Sequence, residues 1–355
     1  MNKSAKFVIC LSLLTAIPAL ANAQDTGYPR ILIPTSEESY TYPADYQIPW
    51  DQIEIMVTEH MSPNLYTLHG SPGLDRGHPD ASGGRAMVLF GPDGVLLVDT
   101  QNRQVADKTL AAIRTFTDGP IRVLVNSHVH SDHAGANAFF GKQGALIFAQ
   151  ENLQLDLINP RADGRPAQEQ DPDGFPVVNY RYDPAKAGEP AVTLMMNGEI
   201  VDFIPMMPSH TAGDTVVRFR NANVVYIEDF YRNFGYPFAA QTSGGSIEGM
   251  IEAIDLLQTI AGPDTWLIPG HGTLIRREDL LPYRAMLVDI WDQVSQLRSA
   301  GKSLAEVLAA NLTAPYDATT EGDTEDSKER FITAVYDEVQ DFPPVINGRR
   351  TMPRR

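Results

Sequence analysis

The chain has 355 residues and a formal charge of −17, a length that fills one large domain or two modest ones. With no Lys/Arg-rich run anywhere, that acidic balance excludes nucleic acid as a partner, because a polyanion is repelled rather than steered in. Cys10 is the only cysteine, and it lies inside an N-terminal apolar run, so everything downstream lacks disulfides, thiolate metal sites and a catalytic cysteine.

Residues 1–23 read as a signal peptide. Lys3 and Lys6 form a basic start, Phe7 to Leu20 is apolar but interrupted by Pro18, and Ala21-Asn22-Ala23 is a small-x-small cleavage site before Gln24. The apolar run is shorter than the about 20 residues a membrane span needs, so no stable span is expected after cleavage. The expected location is periplasmic or secreted, and the mature chain would carry −19. Residues 24–52, rich in Pro and Tyr, form an extended N-terminal arm.

Ile53 to Leu68 is β-prone, broken at Ser62-Pro63. Met87 to Phe90, the turn Gly91 to Gly94, and Val95 to Val98 then give strand, turn, strand. A polar loop from Gly70 to Gly84 precedes them, flanked by His69 and His78, both expected at the surface. His60 reads as structural. A helix is predicted from Val105 to Phe116, a strand from Ile121 to Asn126, a short helix from Ala134 to Phe140 and a strand from Ala145 to Ala149. Residues 160–190 hold six Pro and three Gly and read as an irregular insertion. Val192 to Met207 and Thr215 to Asp229 read as paired strand segments, turning at Asn221-Ala222-Asn223. Helices are predicted over Ile247 to Ile260, Glu278 to Leu297 and Leu304 to Asn311, with one more strand from Thr265 to Ile268. Strands alternating with helices indicate a layered α/β architecture.

Three of the eight histidines fall within six residues in Ser127-His128-Val129-His130-Ser131-Asp132-His133-Ala134-Gly135. On an extended segment His128 and His130 share a face, and a turn then carries Asp132 and His133 to a second position. Imidazole nitrogen and carboxylate oxygen suit Zn²⁺. One segment cannot complete two coordination shells, so further ligands are sought where strands end. His210 follows Ile204 to Met207, Asp229 closes Val224 to Ile227, and His271 closes Thr265 to Ile268 inside a Gly-His-Gly turn.

This order of motifs resembles the metallo-β-lactamase superfamily, whose signature runs His-x-His-x-Asp-His, then a His near a Gly turn, a strand-ending Asp and a Gly-His. The resemblance spans residues 53–275 and implies an α/β fold, the αββα metallo-β-lactamase sandwich. Residues 276–355 would be a C-terminal helical extension, such as follows the core in some members. It implies two Zn²⁺ per chain, with His128, His130 and His210 on one ion, Asp132, His133 and His271 on the other, and Asp229 bridging them. Two positions depart from the common pattern: Glu228-Asp229 replaces Gly-Asp, and Asp214 stands where many relatives have a second His after His210.

A Zn²⁺-bound water has its pKa lowered to about 7, so hydroxide is available for attack on a carbonyl. Asp132 is the expected catalytic residue, orienting that nucleophile and taking its proton. Tyr231 and Tyr236, just past Asp229, are candidate substrate contacts, and Arg85 and Arg232 are candidate partners for an acidic group on the substrate. The expected partner is a small molecule, with β-lactams ranked first, lactones or esters second and thioesters third. An iron-dependent oxidoreductase of the persulfide dioxygenase kind and a non-catalytic zinc-binding protein are the alternatives on the same fold.

Overall fold

The computed structural model describes residues 50–70, 83–160, 166–232, 235–320 and 325–339. The expected signal peptide, all but the last residues of the arm, His78 and most of the Gly70 to Gly84 loop lie outside them. Two mixed sheets stack face to face. The first takes its strands in chain order: β1 (Ile55–Ser62), β2 (Leu65–Gly70), β3 (Ala86–Gly91), β4 (Gly94–Val98), β5 (Ile121–Val125), β6 (Leu146–Gln150) and β7 (Val178–Tyr180). Pairing is antiparallel from β1 to β4 and parallel from β4 to β7. The second comprises β8 (Val192–Met196), β9 (Glu199–Pro205), β10 (Thr215–Phe219), β11 (Val224–Glu228), β12 (Trp266–Pro269) and β13 (Ile275–Arg276), stacked side by side from β8 to β13. Only β11 and β12 run parallel there.

The described helices are α1 (Ala106–Ile113), α2 (Ser131–Ala134), α3 (Asn137–Gly141), α4 (Glu151–Ile158), α5 (Ile247–Ile260), α6 (Leu280–Ser299), α7 (Leu304–Ala309) and α8 (Glu325–Glu338). Alternation along single strands explains the layering. In β4, Leu96 and Val98 point between the sheets, while Val95 and Leu97 point outward against Ile113 of α1 and Phe140 of α3. In β11, Tyr226 points between the sheets, while Val225 and Ile227 point outward toward α5 and α6. Each strand is therefore apolar on both faces, as expected of a sheet buried on both sides. The result is the αββα sandwich, with each fully buried Leu, Ile or Phe contributing about 1.5–3 kcal/mol.

The C-terminal helices complete the outer layer of the second sheet. Trp291 and Val294 of α6, Val307 of α7 and Phe331 and Val335 of α8 join one buried cluster with Met250 and Ile254 of α5. Glu338, near the end of α8, accepts from Ile247 N (2.6 Å), Ser246 Oγ (3.1 Å) and Glu248 N (3.2 Å), capping α5 across the fold.

Three parts of the chain differ from the expected elements. The 192–207 segment is two strands, because Asn197 (φ 55°) and Gly198 (φ 77°) form a hairpin turn in which both central residues are left-handed. The 160–190 insertion contributes β7, which extends the first sheet at its edge. Helix α4 was not anticipated, and α8 falls in the expected helical extension without having been given bounds.

Candidate metal centre

The histidine-rich segment starts where β5 ends. Asn126 N still bonds to Phe148 O of β6 at 3.0 Å, and the chain then leaves the sheet. His128 and His130 lie in the bend at residues 127–130 with ring centroids 4.8 Å apart, and α2 begins immediately, carrying Asp132 and His133. A bend at the strand exit, not a continued strand, therefore sets the first pair and a helical turn the second.

The other three residues come from the second sheet. His210 sits in the 206–214 loop between β9 and β10. That loop is held by Asp214, which accepts from Ser209 Oγ at 2.6 Å and Thr211 N at 3.0 Å. Asp229 follows Glu228, a non-glycine residue at φ 48° beside a register shift between β11 and β12. Such a left-handed residue costs on the order of 1–3 kcal/mol, and it turns the chain so that Asp229 faces the histidines. His271 lies in a turn completed by Gly272 at φ 89°, a conformation that favours glycine. β9, β11 and β12 run in the same direction, so their C-terminal ends share one edge.

Two donor groups result. His128, His130, His210 and Asp229 each offer an atom within 4.8 Å of one another, as do Asp132, His133 and His271. His210 Nε2 is 3.0 Å from His130 Nδ1 and 3.7 Å from Asp229 Oδ2; His271 Nε2 is 3.0 Å from Asp132 Oδ2. Asp229 also reaches the second group, 3.2 Å from His271 Nε2 and 3.5 Å from His133 Nε2. Its carboxylate thus lies between the two.

Bonds on the outer side fix which nitrogens face inward. His133 Nδ1 is 2.7 Å from Asp99 Oδ2 and His210 Nδ1 is 2.7 Å from the Phe238 carbonyl, so each Nδ1 donates outward and each Nε2 faces the cluster. His128 Nδ1 faces Ser127 Oγ at 3.1 Å and Glu228 Oε2 at 3.5 Å. Its Nε2 is buried without a hydrogen-bond partner, as is Asp229 Oδ1. Five imidazoles and two carboxylates thus aim acceptors at common points, and a divalent cation is the species that satisfies such a set.

Titration follows from the same geometry. Burial pushes His128 and His210 well below the usual imidazole range and His130 below it, neighbouring imidazoles adding to the effect. Burial acts the same way on His133 and His271 but is outweighed by Asp229 and Asp132, which raise His133 well above the usual range and His271 to about 9. Asp132 and Asp229 stay below the usual carboxylate range despite burial, held there by His133 and His271.

The supporting residues were not visible in the sequence. Asp99, fully buried at φ 60° just past β4, accepts from Ser127 N (2.7 Å) and Ser127 Oγ (2.6 Å) besides orienting His133. The Tyr226 hydroxyl lies 2.8 Å from Asp99 Oδ2. Phe238 was not singled out, yet its carbonyl fixes His210 and its ring lies parallel to His130, with centroids 6.1 Å apart.

Four readings need correction. Tyr236 is not a substrate contact: it is fully buried, its hydroxyl donates to Asp317 Oδ1 (2.5 Å) or Thr313 O (3.1 Å), and its ring stacks on Phe331. Tyr231 is likewise part of the core, packed against Tyr283 at 4.9 Å, with burial raising its phenol to about 12. Arg85 is buried and holds the His271 turn, donating to Pro269 O (2.6 Å) and Gly272 O (2.7 Å). His69 is buried rather than at the surface. His60 stacks on Tyr66 at 3.9 Å, a structural role as read.

Comparison with known proteins gives three kinds of similarity. Residues 79–227 match the family described as the metallo-beta-lactamase superfamily. A 78-residue stretch is 35% identical to the linear primary-alkylsulfatase of a Pseudomonas species, covering 20% of this chain and 15% of that protein. Among solved structures, the stereoselective inverting sec-alkylsulfatase of Pseudomonas sp. superposes with a TM-score of 0.60 at 17% identity, covering 80% of this chain and 50% of that one. A metallo-beta-lactamase from Pontibacter korlensis gives 0.53 at 18% identity, covering 66% of this chain and all of that one. The chain spans half the length of the sec-alkylsulfatase and a small part of the primary-alkylsulfatase.

Proposed function

We propose that this chain, which belongs to the metallo-β-lactamase superfamily, is a two-zinc hydrolase of small anionic esters, with alkyl sulfate monoesters as the first substrate class. The observation that carries the metal-dependent reading is the pair of donor groups meeting at Asp229, with Nε2 of His133 and His210 turned inward by their outer hydrogen bonds. The set contains only nitrogen and oxygen donors, a combination that suits Zn²⁺. His128, His130 and His210 would hold one ion and Asp132, His133 and His271 the other, with Asp229 shared.

Bound there, the ions supply Lewis acidity and an activated water at neutral pH. The chain's own residues supply the rest. Asp132 is the most open of the acidic members, its side chain 25% exposed against 3% for Asp229. It is therefore the carboxylate placed to orient an attacking water and take its proton. Asp99 and the Phe238 carbonyl keep His133 and His210 in one tautomer and one orientation, so the donor set is assembled before substrate arrives.

Sulfate esters were absent from the ranking that placed β-lactams first, and the alkylsulfatase similarities are the reason to put them ahead. A single anion also suits a strongly acidic chain that disfavours polyanions. β-Lactams remain the second class, supported by the shared fold with the Pontibacter enzyme. Export through the leader at residues 1–23 belongs to the same proposal, and mass spectrometry of the native protein should find Gln24 at its N-terminus. An intact Met1 would overturn export alone.

The test joins elemental analysis to turnover. Purified with zinc available, the protein should hold close to two Zn²⁺ per chain, lose activity to a chelator and regain it with added Zn²⁺. kcat/KM should be higher for an alkyl sulfate than for a β-lactam, a lactone or a thioester. Stoichiometric iron would move the chain to the oxidative class. A β-lactam rate exceeding the alkyl sulfate rate would reverse the substrate order and leave the hydrolase standing.

A further inference from the structure

Phe238 lies against both the donor cluster and two cations. Its carbonyl fixes His210, and its ring lies parallel to His130 and edge-on to His210, 6.1 Å and 5.5 Å away. Over the same ring stand the guanidinium carbons of Arg330, 4.4 Å from the centroid, and of Arg232, at 5.9 Å. Arg232 lies three residues past Asp229, whereas Arg330 belongs to α8, and both fall outside the family-matched segment.

Placing these two cations together is unfavourable in itself. Arg330 is exposed, Arg232 is the like charge beside it, and Asp326, one turn earlier on α8, is the acidic group acting against that repulsion. Arg232 also bears electrostatically on His130 and His210. In a chain of net charge −17, two guanidinium groups beside the donor cluster are a local concentration of positive charge of the kind that attracts an anion. The arrangement is held by the core. Phe331, next to Arg330, is fully buried and stacks on Tyr236, and Glu338 ties the far end of α8 to α5.

We propose that Arg232 and Arg330, mounted on Phe238, form a subsite for the single oxyanion of the substrate, a sulfate or a carboxylate carried on an apolar chain. This rests on the hydrolase reading of the adjacent centre, which it deepens by naming what selects the substrate. A guanidinium presents planar paired donors that fit either oxyanion. The C-terminal helix α8 is then a specificity element and not only a covering layer.

Binding calorimetry on the zinc-loaded full chain tests this, with octane-1-sulfonate, octanoate and neutral octyl glucoside as probes. Octanesulfonate should bind more tightly than the glucoside, and Arg330→Gln should weaken it by about tenfold. Arg330→Lys should recover part of that loss, and Arg232→Gln should weaken binding similarly, with metal content unchanged in all three. Octanoate binding more tightly than the sulfonate, and also lost in Arg330→Gln, would support the subsite with a carboxylate as its anion. Sulfonate and octanoate affinities that stay within twofold of wild type in both Gln variants would overturn it. Alkyl sulfate turnover insensitive to both arginines would sink the subsite and leave the hydrolase reading; arginine-dependent sulfonate binding without alkyl sulfate turnover would do the reverse.

Discussion

Removing the Arg85 guanidinium should loosen His271 without touching any donor residue. Arg85 Nη1 and Nη2 bond Pro269 O at 2.6 Å and Gly272 O at 2.7 Å, the two carbonyls that bracket Gly270 and His271. Its backbone N adds a bond to Gly270 O at 2.6 Å. Charge compensation comes from Glu59 on β1, 3.7 Å from Arg85 Nε. Arg85→Met keeps the backbone bond and roughly the side-chain volume but removes the guanidinium bonds to both carbonyls and leaves Glu59 without this cation. Hydrogen bonds from a charged donor contribute about 1.5–3 kcal/mol each, and breaking a buried ion pair costs about 3–5 kcal/mol. Glu59 is partly open to solvent, its side chain 32% exposed, so the lower end, about 3 kcal/mol, is the better figure. For a chain of this size that is a fall in Tm of about 4 °C. Chelator competition on the second metal should show about 10–100-fold weaker binding, the range for lost support behind a ligand. Arg85→Lys retains charge but not the planar fork, so it should bond at most one of the two carbonyls and fall between wild type and Met. A Met variant with wild-type Tm and two tightly held metals would refute the claim that Arg85 sets the His271 turn.

Asp99→Asn should free the His133 ring and lower metal affinity by about 10–100-fold, measured by chelator competition, while the strand core persists in far-UV circular dichroism. Gly249→Ala should destabilise α5 strongly, because a Cβ there would overlap the Pro208 carbonyl; equal Tm values for the variant and wild type would contradict that close approach. Glu338→Ala should cost about 0.5–2 kcal/mol in chemical denaturation through loss of the α5 cap. Burial raises the Glu338 carboxyl above its ordinary value in spite of those bonds, so the folded state holds the proton more tightly than the unfolded one. Its titration therefore takes stability away as pH rises through the usual carboxylate range and just above it. Glu338→Gln, which still accepts the N–H bonds, should flatten the pH dependence of stability there, and an unchanged slope would count against it.

The donor residues were legible because their chemistry is local. Three histidines and an aspartate in six residues are a pattern that strand and turn geometry alone explain, and His210, Asp229 and His271 stand where apolar runs stop. What holds them is not local. Asp99 ends a strand as many aspartates do, and only the assembled structure puts its carboxylate against Ser127, His133 and Tyr226, with its backbone at φ 60°. Arg85 reads as a partner for an acidic substrate group because sequence carries no sign that two carbonyls from β12 and its turn will reach it. Tyr236 misled for the same reason: nearness to Asp229 in sequence suggested the site, while its hydroxyl partners lie in the segment before α8. Local signals were also missed. Asn197-Gly198 is a hairpin signature inside a run taken as one segment, and α4 follows β6 with no breaker between Gln150 and Glu151. Helix α8 is polar along most of its length, and its few apolar residues, Phe331, Ile332 and Val335, are recognisable as a buried stripe only once α5 and α6 are in place. That is why the substrate was the hardest property to read. The metal chemistry is set by strand ends, but the cation proposed to choose the anion sits on α8, whose position depends on Phe331 filling the second sheet's core and Glu338 capping α5. On that proposal, specificity is inherited from packing far along the sequence, and a change in the α8 core should alter substrate choice before it alters metal binding.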